Sequence, residues 1–394
     1  MTRSRCLGPG LILALLATVA LGDDGPIASP PTDTPMATAD DSNEPVAGPL
    51  LSKPVTATRA RPKYRGIPEY PSAMRSKGEE GWVTLSYVIG ADGRVSDLIV
   101  QDSSGQRDFE KAALKAAAKW RFSPATVEGR PVEQCDTSDT FVFFIQGGRG
   151  GARKTFRDQF TAIRARYGAG DVEGAARDVD EMLAAGGWNN YETSRLRLLR
   201  FELCKGTGDL KCELENLRRA AFNRGRGLEA GLYRQVLEAT AGAEIRSELY
   251  RDALQTIAKR NKLKPALAAD HPLTKAAADI VALAHGNDPL AFKGQIGFRS
   301  GCDLGEPNWS HQLLRRKFAI DPLEGRVDKL EIRCDWRRAT DSVSPDKAWT
   351  LPADWGNCVV YVFGEVGAKL KLVEYPATPA AAGNESLPAA VASD

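Results

Sequence analysis

Histidine is nearly missing from this chain of 394 residues, which has three, His271, His285 and His311. They are not paired at metal-binding spacing. No H-E-x-x-H run, G-x-S-x-G elbow or C-x-x-C pair occurs either. Metal centres and elbow-type nucleophiles therefore lack their usual residues, and neither a catalytic residue, a metal ligand nor a cofactor is expected. Charge of one sign is lacking too. The 53 Lys and Arg stand against 51 Asp and Glu, interspersed, for a formal net charge of +2, so no nucleic-acid partner is implied. A glycine-rich stretch, Gly147-Gly148-Arg149-Gly150-Gly151-Ala152-Arg153-Lys154-Thr155, sits where a phosphate-binding loop would. It has Arg153 where that loop requires the glycine before its lysine, and it reads as an interdomain linker. Cys135 has no base partner evident in sequence and reads as a disulfide or inertly buried thiol.

Long apolar runs are scarce as well. The one substantial run, residues 7–21, follows Arg3 and Arg5 and ends in Ala20-Leu21-Gly22 before Asp23-Asp24. That layout is a secretory signal over residues 1–22, and it predicts export to the periplasm. The alternative is an uncleaved helix anchored in the inner membrane and facing the periplasm, the one circumstance in which a membrane contact is expected. Residues 23–62 carry eight prolines and few bulky apolar residues, which predicts a disordered linker able to reach ~120 Å at ~3.1 Å per residue. Residues 376–394 are Ala/Pro/Ser-rich and read as a disordered tail. Removing the signal leaves six cysteines, an even number that in an exported chain points to disulfides. Cys204 and Cys212 flank a short turn between two helical patterns. Cys334 ends one strand pattern and Cys358 begins another. These are the two candidate pairs, with Cys135 and Cys302 left unassigned.

Residues 63–147 hold the densest pattern. Val83, Leu85, Tyr87 and Ile89 alternate with Trp82, Thr84, Ser86 and Val88, the period of a strand. Ala91-Asp92-Gly93-Arg94 is a hairpin signal, and Val95 to Gln101 a weaker second strand. Ser104 or Asp108 can cap a helix whose one face holds Phe109, Ala112, Ala113, Ala116 and Trp120. Thr140-Phe141-Val142-Phe143-Phe144-Ile145 is an uncharged final strand. Three antiparallel strands with two helices on one face are expected, the first helix following Tyr70-Pro71. The order Glu69-Tyr70-Pro71, Ala73, Gly78, Gly81-Trp82-Val83, Asp92-Gly93-Arg94-Val95, Ser103-Ser104-Gly105, Phe109 and Trp120-Arg121-Phe122-Ser123-Pro124-Ala125 resembles the C-terminal domain of the TonB family. The resemblance implies a periplasmic module that grips outer-membrane receptors by lending a sheet edge to a partner strand. In that family an N-terminal helix with a histidine and a serine meets a proton-driven motor; residues 7–21 contain neither.

Residues 153–288 read as helical throughout. Phe156, Phe160, Ile163 and Tyr167 form one stripe, and Val172, Ala175, Ala176, Val179, Met182 and Leu183 the next. Gly168-Ala169-Gly170-Asp171-Val172 recurs as Gly206-Thr207-Gly208-Asp209-Leu210, a spacing that suits stacked hairpins of the tetratricopeptide type or else a plain bundle. Arg195, Arg197, Arg200, Arg218 and Arg219 read as a solvated face with carboxylate neighbours. Residues 291–375 turn to strands between Gly, Pro and Asp turns, which predicts a small all-β domain of sandwich type, with Trp309, Trp336, Trp349 and Trp355 read as core rather than a ligand platform. The fold class expected is thus α+β and multidomain.

Three functions are open. The first is a periplasmic adaptor binding a receptor or other envelope protein by strand addition beside Asp139, Thr140, Phe141, Val142, Phe143, Phe144 and Ile145. Tyr70 and Pro71, by the resemblance, form the receptor-facing end of that site or else only fix the entry of the first helix. An uncharged edge needs a cover, from a receptor peptide, a second copy in a homodimer, or residues 126–131 of the chain itself. The second is an anchored energy transducer driving transmembrane transport. The third is an envelope enzyme with its site in residues 291–375.

Overall fold

The computed structural model describes residues 57–145, 151–222, 228–297, 306–345 and 347–376. The expected signal 1–22, most of the linker 23–62, the tail beyond residue 376, Gly147–Gly150 and Cys302 lie outside them. The described residues fall into two compact units. One comprises Tyr70–Trp82 and Val142–Asp279; the other gathers the described parts of Gly48–Glu69, Val83–Phe141 and Ile280–Asp394.

From Ala57 onward the elements are β1 (Ala57–Thr58), β2 (Arg61–Tyr64), α1 (Ser72–Ser76), β3 (Gly81–Ile89), β4 (Val95–Ser103), α2 (Arg107–Ala117), β5 (Arg121–Ser123), β6 (Ala125–Val127), β7 (Arg130–Val132) and β8 (Gln134–Phe143). Strand structure thus begins inside the stretch expected as a linker, because β1 pairs with β6 and β2 with β5. The main sheet is three-stranded in the order β4-β3-β8. Asp92-Gly93 makes the β3–β4 turn, Asp92 accepting from the Arg94 N–H at 2.8 Å. Gly93 has φ +78°, and a Cβ there would meet the Phe122 carbonyl oxygen at 2.0 Å, so the turn closes on β5 only without a side chain.

Inward residues of β3, Leu85, Tyr87 and Ile89, are buried, as are Phe109, Ala113, Ala117 and Trp120 of α2 and its exit. The helical face differs slightly from the sequence expectation. Ala117 takes the inward place, while Ala112 and Ala116 are half-buried, since the row 109, 113, 117, 120 follows a 3.6-residue turn more closely. The expected caps differ too. Gln106 stands at the N-cap, where its side chain makes no capping bond, and the Ser103 hydroxyl donates to Glu110, a fully buried carboxylate, at 2.5 Å. β3 is also more than half-buried, with Ser86 and Val88 fully covered on its other face.

The helical elements are α3 (Lys154–Gly168), α4 (Val172–Ala185), α5 (Asn190–Thr207), α6 (Leu210–Ala220), α7 (Ala230–Arg246), α8 (Tyr250–Asn261) and α9 (Pro272–His285). Both apolar stripes read from sequence meet in one core with Leu196, Leu199 and Leu203 of α5. The two Gly-x-Gly-Asp turns start helices alike: Asp171 accepts from the Gly174 N–H and Asp209 from the Cys212 N–H. Cys204 and Cys212 are joined across the second turn. The arginines do have carboxylate neighbours, Arg200 with Asp180, Arg218 with Glu244 and Asp252, Arg219 with Glu215. They do not form a solvated face, however. Arg195 is buried and the others half-buried; Arg218, for one, reaches a buried carboxylate on the next helix, Glu244 of α7. Burial is deep enough at Glu244 to push its carboxyl up to about 7 despite Arg218 beside it.

The last region holds β9 (Leu290–Gln295), β10 (Asn308–Gln312), β11 (Lys317–Glu324), β12 (Val327–Cys334), β13 (Arg338–Ser342), β14 (Ala348–Thr350), β15 (Cys358–Gly364) and β16 (Lys369–Tyr375). They form two four-stranded antiparallel sheets, β10-β15-β12-β13 and β14-β11-β16-β9. Phe318, Ile320, Leu370 and Leu372 in one, and Leu330, Ile332, Val360 and Val362 in the other, are buried. Cys334 and Cys358 face each other in the β12–β15 register and are bonded. The tryptophans are not one core. Trp349 is buried on Phe318, with ring centroids 5.3 Å apart, whereas Trp309, Trp336 and Trp355 are half-buried. The opposite face of β15 is covered too: Val359, Tyr361 and Phe363 pack with Ile99 of β4.

Candidate functional site: the edge strand of the small sheet

β8 stands at the end of the sheet order β4-β3-β8, so β3 is its one strand partner among the described residues. The stretch Thr126 to Pro131, weighed as a cover for this edge, instead folds into the β6–β7 hairpin, whose other neighbour is β1.

Along β8 the side chains divide by face. Asp139 accepts from the Tyr87 hydroxyl at 2.5 Å and from Arg65 at 2.6 Å. The Arg65 guanidinium in turn lies over the Trp120 ring, 4.4 Å from its centroid. Burial, and after it the Asp139 charge, hold the Tyr87 hydroxyl far above its usual range, so it stays a donor. Phe141 packs beside Trp120 at 5.1 Å between centroids. Thr140, on the other face, is exposed and shares a 2.8 Å hydrogen bond with Thr84. Val142 is half-buried, and Phe143 is buried edge-on to Tyr70 at 5.8 Å. Phe144 and Ile145, expected within the strand, lie past its end and are half-buried.

Tyr70 and Pro71 hold the start of α1. Pro71 is its N-cap residue, with its carbonyl accepting from Arg75 N–H at 3.0 Å. The Tyr70 hydroxyl donates to the Glu79 carbonyl. Burial first, then the charges of Glu80 and Glu79, push that hydroxyl up to about 12.

Sequence reasoning missed Glu80. One of its oxygens accepts from Ile145 N–H at 2.8 Å and the other from Asn190 N–H at 3.0 Å, which fixes the exit of β8. Its signal was present: two adjacent carboxylates, Glu79-Glu80, immediately before a fully apolar strand start. Arg65 and Tyr87 were also missed, because a lone Arg and an inward Tyr give no sequence sign of a shared partner 52 residues or more away. Cys135 is a free, buried thiol, kept protonated by burial and by Glu133. In residues 291–375, Glu374 is buried and accepts from Leu314 and Arg315 N–H groups at 3.0 and 2.6 Å, with His311 2.8 Å away. Both of its oxygens are thus occupied internally.

A family model described as the Gram-negative bacterial TonB protein C-terminal matches residues 67–141. Protein TonB of Xanthomonas campestris is 40% identical over 68 residues, 17% of this chain and 30% of that protein. Protein TonB of Yersinia enterocolitica is 32% identical over 133 residues, 33% of this chain and 48% of its own length. The chain thus spans less than half the length of these curated relatives. Among solved structures, the solution structure of the Pseudomonas aeruginosa TonB C-terminal domain is 32% identical, with 23% of this chain and 92% of that one covered and a TM-score of 0.21. The TonB2 protein of Vibrio anguillarum is 33% identical over 31% of this chain and 98% of its own, with a TM-score of 0.20. Residues 67–141 of this chain are a TonB C-terminal domain.

Proposed function

We propose that the chain is a periplasmic adaptor whose TonB C-terminal domain binds an extended segment of an outer-membrane receptor, or of another envelope protein, by strand addition along the second flank of β8. The observation that carries this reading is the place of β8 at the end of its sheet, paired by strand on one side. Main-chain hydrogen bonds would supply affinity and the side chains of Thr140 and Val142 would help set register. Asp139, Phe141 and Phe143 act differently in this reading: their contacts with Tyr87, Arg65, Trp120 and Tyr70 hold the strand in the domain. Tyr70 and Pro71 likewise support α1. Consecutive packing of α3 to α8 supports reading the helical part as a stack of hairpins attached to this module.

A photoreactive side chain at Thr140, exposed on β8, tests the reading in cells; Phe143, being buried, is unsuited. The expected adduct is with the N-terminal segment of an outer-membrane receptor. Adducts solely between copies of this chain would replace the receptor by a homodimer. The family match also favours a second reading, an anchored energy transducer. N-terminal sequencing of protein from cells separates the two, a start at Asp23 excluding the anchor.

A further inference from the structure

Cations and apolar side chains share one face of the β2–β5 ribbon. The register decides which residues those are. Arg61 lies opposite Ser123, Pro62 opposite Phe122 and Tyr64 opposite Arg121. Directly opposed residues project to the same side of a ladder, and successive residues of a strand alternate. Phe122 is buried, which puts Arg121 and Ser123, and with them Tyr64 and Arg61, on the opposite, outward side. The bulge between Pro62 and Tyr64 is what brings Arg61 and Tyr64 to one side despite their odd spacing. A bridge between Arg94 and Arg121 extends the row beyond β5. Tyr64, Arg121 and Arg94 are thus neighbours across three stretches of backbone.

This face is unfavourable as it stands. Arg94 and Arg121 are like charges set directly opposite each other, which costs stability. Arg61, Lys63, Arg94 and Arg121 are all exposed. Among the described residues Arg94 alone of them has a carboxylate partner, Asp92 at 3.4 Å; Glu69 is the other exposed acid close by in the chain. Tyr64 is 55% and Ile67 65% exposed, two of the four large apolar side chains that the described residues leave open. Their exposure is built in. Trp120 Nε1 donates to the Gly66 carbonyl at 2.8 Å, and the Tyr64 ring lies against Gly66, where a Cβ would come 2.7 Å from its hydroxyl oxygen.

We propose that this face docks on an anionic phospholipid surface, with Arg61, Lys63, Arg94 and Arg121 at headgroup phosphates and Tyr64 and Ile67 entering the interface between them. Charge complementarity sets the sign of the partner. The apolar pair sets its kind, since a small free anion would answer the arginines and leave Tyr64 and Ile67 in water. Basic side chains with apolar stems and a ring with a polar tip are residues that settle at the rim of a bilayer. The open edge of β2 does not favour an added peptide strand instead: Pro62 has no N–H to donate, and the bulge at Lys63 interrupts the ladder. The contact stands whether or not β8 binds a receptor.

Acetylation of amines on the full chain beside vesicles, read by mass spectrometry, tests this through Lys63. Lys211 of α6 and Lys293 of β9, both exposed, are the references; they register any general attachment of the chain to vesicles through its N-terminal apolar run. With vesicles of phosphatidylcholine and phosphatidylglycerol, Lys63 is expected to react about fivefold more slowly than with phosphatidylcholine alone, while the references keep their rates. At ~1 M salt, where the screening length falls to ~3 Å, most of that protection goes. Arg61→Glu with Arg121→Glu, both at exposed positions, abolishes it, and Tyr64→Ser with Ile67→Ser lowers it about twofold or more. Equal Lys63 rates with both kinds of vesicle overturn the proposal, as does equal slowing of all three lysines. Protection undiminished by Tyr64→Ser with Ile67→Ser, or matched by inorganic phosphate at the same phosphate concentration, overturns it in favour of a free anion.

Discussion

At one end of the TonB-type sheet, β4 lies against the outer face of β15; at the other, β8 has no second strand neighbour among the described residues. The β4 end is tied down by charge and by apolar contact. The Arg333 guanidinium is buried over the Tyr361 ring, pairs with Glu331 and donates to the Asp97 carbonyl at 3.1 Å. Arg338 reaches both the Asp97 carboxylate at 2.6 Å and Glu133 at 3.1 Å. Arg59 does the same from the N-terminal side, to Asp335 at 3.3 Å. The β8 end is held from within instead, by Arg65, Tyr87 and Glu80 on its own side chains and exit. An edge strand is an invitation to further pairing. Here the β4 end is covered by side chains of the β12–β15 region, and β8 is held by contacts of its own side chains.

The comparison breaks most sharply at Arg333. Arg333→Ala strips a buried cation from Glu331 and from the Asp97 carbonyl, and about 3 kcal/mol of unfolding free energy is expected to go with it. A denaturant midpoint measures this; a loss under about 1 kcal/mol would mean that β4 is not anchored by this contact. Next comes Glu80→Ala, which leaves the Ile145 and Asn190 N–H groups without their acceptor, at about 1–3 kcal/mol each if they remain buried. Hydrogen exchange at those two amides is expected to quicken while Leu98 to Val100 stay protected. Equal protection in variant and parent would remove Glu80 from the account of β8.

The smallest expected effect concerns acid. Burial raises the Asp97 carboxyl, but the Ser96 hydroxyl and the Arg338 and Arg333 charges outweigh it and hold it below the usual range. A carboxylate depressed in the folded state stabilises fully above its unfolded pKa, near 3.9, and that stability is lost as pH falls through the folded value. Stability of the parent should therefore drop from about pH 4 downward, and Asp97→Asn should be weaker at neutral pH with a shallower acid loss. Parallel acid profiles would sink this assignment. The carboxylate is partly exposed, so its share is modest.

Much of the small domain was legible because its signals are local. The Asp92-Gly93 turn, the alternation through Val83 to Ile89 and the Phe109–Trp120 row each lie within one element, and the Cys204 and Cys212 pair within one turn. The apolar stripes of α3 and α4 were legible for the same reason, since periodicity names the inward face whatever it packs against. Arg195 was misread because a helix face shows its composition in sequence but not the depth at which the next helix covers it. Glu110, fully buried beside Ser103, was missed on similar grounds. Phe143 was placed among receptor-facing residues because alternation gives two faces and not their identity. The Trp309, Trp336, Trp349 and Trp355 group parted company for want of any long-range register.

Read alone, the residues specify β3, β4, α2 and the turn between the strands, the helical stripes of α3 and α4 and the TonB-type order of residues 67–141. Those depend on neighbours a few positions apart. Tertiary structure alone decided which edge of the small sheet is occupied, since that rests on Asp97 meeting Arg333 and Arg338, residues more than 230 positions away. It decided likewise that Arg65 and Tyr87 converge on Asp139. Contacts of such range are set by how whole layers settle on one another, and no local period encodes them.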